Sequence, residues 1–157
     1  MAVNVDIPYS TNEGIDYLIR FTVFPEEKLP EGIHIPVVDI VIETNAEVND
    51  IKNTAFSLIK ITQIISNYAL EHDAIYYCYC SSNPIKRSEK KADLTHQEYR
   101  SILFCKLFEK NNNPDFVNRT VIINDPEQGN HYIHLISRLK NNDMINLISE
   151  TLNTFDK

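Results

Sequence analysis

Cys78 and Cys80 are separated by one residue, so a strand through them places both thiols on one face, about 7 Å apart by the strand rise. Two thiolates so placed begin a soft-metal site, which then needs a second ligand pair, commonly from CxxC or HxxxH spacing. Cys105 falls in a helical stretch, and His131 and His134 fall on opposite faces of a strand, so the sequence offers no such pair. Buried structural thiols are the expected role, because free cysteine is among the most buried residue types. Nucleophilic catalysis asks for a Cys or Ser beside a base. His72 is the histidine nearest in sequence to Cys78, and no motif joins the two. His34, in a loop before Pro36, and His96, in the first turn of a helix, are expected at the surface.

Tyr76, Tyr77 and Tyr79 could stack a flat ligand, although sheet aromatics more often serve core and cross-strand packing. Lys86, Arg87, Lys90 and Lys91 form the one basic cluster of an acidic chain and could meet a phosphate or an acidic partner. Glu89 and Asp93 are interspersed with it, as in an ordinary solvated loop. Asp39 and Glu43 share one face of an expected strand, but four residues of strand span roughly 13 Å, too far for a paired acid and base. Arg100, in the first turn of an otherwise apolar helix, needs a carboxylate or solvent. The candidate interaction residues are therefore Tyr76, Arg100, Lys86, Arg87, Lys90 and Lys91, with no assembled catalytic set and no motif for a cofactor or a metal.

The elements that position these residues follow from period and punctuation. Residues 14–24 alternate Ile15, Tyr17, Ile19, Phe21 and Val23 against a second face, the period-2 pattern of a strand. Residues 2–8 alternate similarly, and the turn-rich stretch between them predicts a hairpin. Residues 36–44 are β-branched and apolar on both sides, which predicts a central strand buried on both faces. A helical spacing begins after a polar cap at Asn49 or Asp50, takes in Ile51, Ala55, Leu58, Thr62, Ile65 and Ala69, and ends near His72.

Residues 74–82 then read as a strand and residues 83–94 as a polar loop. Thr95 and Glu98 have the spacing of a capping box, opening a helix over residues 96–111. Two strands over 116–123 and 131–140 flank turn chemistry at 125–129, and Asn142 or Asp143 caps a last helix carrying Ile145, Ile148, Leu152 and Phe155. The order β-β-β-α-β-α-β-β-α, without repeats, predicts one α+β domain over residues 1–157, its single mostly antiparallel sheet covered on a face by helices.

Composition narrows the function classes. A chain of 157 residues with 43% apolar and 24% charged residues can bury a continuous core without metal or disulfide staples. The formal charge of −7 opposes nucleic-acid binding. No run approaches a membrane span, and the amino-terminal residues lack the basic and apolar regions of a signal peptide. Three cysteines without framework spacing fit free thiols, so a cytoplasmic address is expected.

Two resemblances add to this reading. The strand and helix order of residues 37–139 is similar to the later two thirds of the GCN5-related N-acetyltransferase fold, and Ser81, Ser82 and Asn83 before the helix from Tyr99 to Phe108 echo that family's strand, Asn and aromatic-ended helix. The resemblance implies an acyltransferase-like enzyme or a nucleotide or CoA binder. That family holds a pyrophosphate on a glycine-rich turn between strand and helix. Here residues 44–50 have no glycine and carry Glu47 and Asp50, which implies a degenerate member used for binding. The segments 14–21, 74–80 and 100–104 also resemble an uncharacterised family of small proteins from Bacteroidetes-type bacteria, which implies an origin and no activity.

The expected function is that of a small cytoplasmic bacterial binding or accessory protein, acting on a protein partner or as a homo-oligomer, with the acyltransferase-like binder as its rival. A groove between the strands at 37–44 and 75–80 would favour the rival. A closed sheet with a flat apolar patch would favour protein binding.

Overall fold

In the computed structural model, residues 4–12, 14–44, 55–81, 93–111 and 113–154 are described. Their elements are β1 (Val5–Ser10), β2 (Asp16–Val23), β3 (Val37–Thr44), α1 (Ala55–Glu71), β4 (Ile75–Tyr79), α2 (His96–Asn111), β5 (Phe116–Ile123), β6 (His131–Arg138) and α3 (Asn142–Asn153), in the expected order. Short 3-10 turns add Glu26–Lys28 and Leu139–Asn141. The six strands form one sheet in the order β1-β2-β3-β4-β6-β5. All neighbours are antiparallel except β3 and β4, which are parallel. Parallel neighbours need a crossover, and α1 supplies it.

The first hairpin closes around Gly14, whose φ of 86° is open to glycine at little cost. Thr11 N–H reaches Ile15 O at 2.9 Å, and Ser10 Oγ donates to Asp16 Oδ1 at 2.6 Å. The register Val5↔Phe21 to Ser10↔Asp16 follows from that turn. This carries β1 two residues past the expected end at 8, because the pairing continues to the turn itself.

Strand alternation divides the core in two. Ile19, Phe21, Val38, Ile40, Tyr76 and Ile136 face α1 and α2, where they meet Ile61, Tyr68, Ala69, Phe104 and Phe108. Val37, Ile75, Val121, Ile133 and Leu135 point the other way and meet Met144, Ile145 and Ile148 of α3. Helices thus cover both faces of the sheet, where the element order led us to expect one. The amphipathic stripe of α3 needs an apolar surface, and the alternate residues of β5 and β6 provide it.

Two local expectations are corrected. β3 is buried on both faces only in its first half, since Val41 and Ile42 are 37% and 45% exposed. The cap of α3 is Asn141, not Asn142 or Asp143, and its amide is used elsewhere, donating to Asp73 Oδ1 and Ser137 Oγ, both at 2.9 Å. Ser137 Oγ in turn donates to Ala74 O at 2.7 Å, so the end of β6 is tied to the start of β4. The capping-box residue Thr95 accepts from Glu98 N–H at 3.2 Å as expected, while the Glu98 carboxylate takes the Tyr132 hydroxyl at 3.1 Å. No helix among the described residues is long and apolar enough to cross a membrane.

Candidate functional site

The parallel pairing of β3 with β4 lasts for three residue pairs, Val37↔Ile75, Val38↔Tyr76 and Asp39↔Tyr77. Beyond them β3 continues against β2 as far as Thr44, and β4 continues against β6 as far as Tyr79. Each strand keeps its outer neighbour and parts from the other. The gap opens a cleft of about 700 Å³, walled by α1 and α2. Ile40, Ile42, Cys78 and Cys80 line it from the helix-covered face, with Ile61 and Ile65 of α1 and Leu103, Phe104 and Leu107 of α2. Asp39, Tyr77 and Tyr79 line it from the other face.

Most of this lining is apolar, and burial sets the state of its titratable groups. Burial pushes the Cys80 thiol up to about 12, and it also raises Cys78, with Cys80 and Asp39 adding repulsion. Both thiols therefore stay protonated near neutrality, which is the wrong state for a nucleophile or a soft-metal ligand. Burial likewise pushes Tyr77 up to about 12, with Asp39 contributing, and it raises the Asp39 carboxyl. Arg100 is half-buried, and burial lowers its pKa; its Nη1 donates to Ser81 O at 2.7 Å. It is the one cationic side chain among the described residues lining the cleft.

The sequence candidates separate in this setting. Arg100 stands on the cleft wall, its guanidinium satisfied in part by a carbonyl where a carboxylate or solvent was expected. Tyr76, expected at an interaction surface, is 1% exposed and donates its hydroxyl to His72 O at 2.7 Å, because its strand position points beneath α1. Tyr77 packs edge-on against Phe24 at 5.3 Å between centroids, while Tyr79 is 44% exposed. Lys86, Arg87, Lys90 and Lys91, and the turn after Thr44 with Glu47 and Asp50, lie outside the described residues.

Asp39 and Glu43 do not act as a pair. Asp39 lines the cleft, and Glu43 meets Arg20 at 3.3 Å on the surface. His72 is stacked on Tyr68 at 4.2 Å with Nδ1 at 3.0 Å from Tyr68 O, apart from any thiol chemistry. His34 is exposed as expected, whereas His96 is half-buried. Among the described residues, no group of three or more His, Cys, Asp and Glu is placed to hold a metal ion.

Two hydrogen-bonded chains escaped the sequence reading. One links Ser101, His134 and Asn118: Ser101 Oγ lies 2.9 Å from His134 Nε2, and His134 Nδ1 lies 3.1 Å from Asn118 Oδ1. Its order is that of a nucleophile, base and orienting group. His134 is fully buried, however, with Ser101 5% exposed and the Phe104 ring 4.4 Å away, so the chain joins helix to sheet. The other links Tyr79, His131 and Asp125 beside the cleft. The opposite faces expected for His131 and His134 put one in each chain, but the partners depend on strand pairing that no spacing reveals. No protein-family model, curated protein or solved structure matches the chain.

Proposed function

We propose that this protein binds an elongated, largely apolar small molecule of acyl type in the cleft between β3 and β4. The observation that carries the reading is the parting of the two strands after Asp39 and Tyr77. It turns the middle of the sheet from a closed surface into an opening. A volume of about 700 Å³ lies within the usual range for ligand pockets, and an apolar lining with a few polar groups is the usual composition. Arg100 on one wall and Asp39 on the other give a bound chain a distinct polar surrounding at each side.

The strand and helix order similar to GCN5-related N-acetyltransferases supports the same reading, with the acyl part of the ligand as the element recognised. A nucleotide portion is not included in the proposal, since residues 44–50, which correspond in order to that family's pyrophosphate turn, have no glycine and carry the acidic Glu47 and Asp50. The free thiols Cys78, Cys80 and Cys105 support a reducing, cytoplasmic address.

The second reading is docking of a protein segment over the same opening. It is favoured by exposed Ile59 and Leu70 of α1 and Val41 and Ile42 of β3. One experiment separates the two: native mass spectrometry of the protein from its host, followed by titration of the purified chain with a fluorescent fatty-acyl probe. A bound small molecule and saturable probe binding, lost in Leu103→Trp with unchanged melting, support the cleft. A stoichiometric protein partner with no probe binding replaces it with the docking reading.

A further inference from the structure

Tyr79 lines the cleft and is 44% exposed. Its hydroxyl oxygen lies 2.7 Å from His131 Nδ1, and His131 Nε2 lies 2.9 Å from Asp125 Oδ2. The Asp125 side chain is 1% exposed, and its other oxygen accepts the N–H groups of Glu127 at 3.1 Å and Gln128 at 3.2 Å. A carboxylate held by these donors is itself an acceptor, so Nε2 carries the hydrogen. In the neutral ring Nδ1 is then the acceptor, and the Tyr79 hydroxyl donates to it.

The three residues form a chain from the hydroxyl of a cleft-lining tyrosine to a buried carboxylate. The geometry matches the general order of reacting oxygen, base and orienting acid. A turn at 125–129 needs only Asp125 and its two amides. The link onward through His131 to Tyr79 joins that turn to a different strand, at the cleft.

We propose that Tyr79 is an acid–base catalytic residue for hydrolysis of an acyl ester or thioester held in the cleft, with His131 and Asp125 as its positioning residues. The proposal rests on the cleft reading and gives it a reaction. Water attacks the acyl carbon; its proton passes to the Tyr79 oxygen while the phenolic proton passes to His131 Nδ1. The resulting imidazolium lies against the Asp125 carboxylate. As the tetrahedral intermediate collapses, the bond to the leaving oxygen or sulfur breaks, the leaving group takes the proton of Tyr79, and Tyr79 recovers its own from His131. An ester and water give an acid and an alcohol or thiol, and the chain ends as it began. Burial, with Cys80 and Asp125 nearby, raises the Tyr79 pKa, so the phenol is protonated when the cycle starts.

The test uses the full chain, p-nitrophenyl butyrate as the ester, and an apolar fluorescent dye, anilinonaphthalene sulfonate, as a separate report on the cleft. Hydrolysis above the buffer rate is expected. Tyr79→Phe should lower kcat by about 10²-fold with KM within about twofold and dye binding unchanged. His131→Gln should behave alike. Asp125→Asn should shift the His131 tautomer in ¹⁵N spectra and lower kcat, a change that a turn-stapling role alone would not produce. His34→Gln, remote from the chain, should match the wild type. Dye binding together with a Tyr79→Phe rate equal to wild type, or with a wild-type rate equal to buffer, overturns the relay. Absence of dye binding by the wild type overturns the cleft reading and the relay that rests on it.

Discussion

Ser101 Oγ on α2 lies 2.9 Å from Nε2 of His134 on β6, a histidine that no solvent reaches, and an amide oxygen on the other ring nitrogen leaves Nε2 to accept the Ser101 hydroxyl. The opposite nitrogen is 3.1 Å from Asn118 Oδ1 and 3.3 Å from Thr120 Oγ1, and Cys105 Sγ lies 3.8 Å from Thr120 Oγ1. Phe104 covers the ring. The side chains contacting the imidazole bring no carboxylate to offset a positive charge.

Burial therefore pushes His134 down from 6.5 to about 4. The folded state binds this proton less readily than the unfolded chain, so stability falls as pH drops below about 6.5 and levels off below about 4. The full loss is about 3 kcal/mol. Urea unfolding at pH 7 and at pH 4, compared between wild type and His134→Gln, should show this component in the wild type alone. Equal pH dependence in both proteins would place the effect elsewhere.

Replacing Ser101 by Ala removes the partner of Nε2 and leaves a buried acceptor unsatisfied. The expected cost is about 1 to 3 kcal/mol at pH 7, read as a lower urea midpoint with an unchanged slope.

The thiols of Cys78 and Cys80 are held protonated by burial. Iodoacetamide at pH 8, followed by site mapping, should alkylate both far more slowly in the folded chain than in urea. Rapid labelling of either in the folded protein would contradict the environment described for the cleft floor.

How much of this was legible in the sequence depends on the range of the forces involved. β5, α2 and the first hairpin came through because alternation, the Thr95 cap and turn residues act within a few positions of one another. Sheet order did not: nothing local states that β6 lies between β4 and β5, and the His131 contact to Tyr79 spans 52 positions. The same ignorance put Tyr76 among the candidate interaction residues and left Tyr79 out, although Tyr76 is 1% exposed beneath α1 and Tyr79 is 44% exposed at the cleft. β3 looked buried throughout because its composition is uniform, whereas its exposure changes at the point where β4 leaves it. Of the three thiols expected to be buried, Cys80 is buried while Cys78 and Cys105 are half-buried, because burial depends on which elements cover a position and not on residue type alone.

Gly129 has φ of 83°, and a Cβ there would meet Gln97 Nε2 at 3.0 Å. That nitrogen approaches Gln128 O at 3.4 Å and Asn130 O at 3.3 Å, docking α2 on the β5–β6 turn. Gly129→Ala should cost about 1 to 2 kcal/mol through the left-handed backbone alone, with more from displacing Gln97. Thermal melting measures the sum, and Gln97→Ala in the same background shows how much belongs to the contact.

Tyr76→Phe should lower stability by about 1 kcal/mol through loss of the bond to His72 O, while binding of the fatty-acyl probe stays at the wild-type level. Weakened probe binding would return Tyr76 to the recognition surface.

The short seam between β3 and β4 makes the sheet mechanically a pair of three-stranded leaves, β1-β2-β3 and β4-β6-β5, stitched along three residue pairs. The antiparallel ladders within the leaves run from four residue pairs between β4 and β6 to eight between β5 and β6. Shear between the leaves concentrates at the seam, and a molecule wedged where the strands diverge braces one leaf against the other. Occupancy of the cleft thereby becomes a property of the whole sheet, readable as slower amide exchange at Val38 and Tyr77 when a ligand is present.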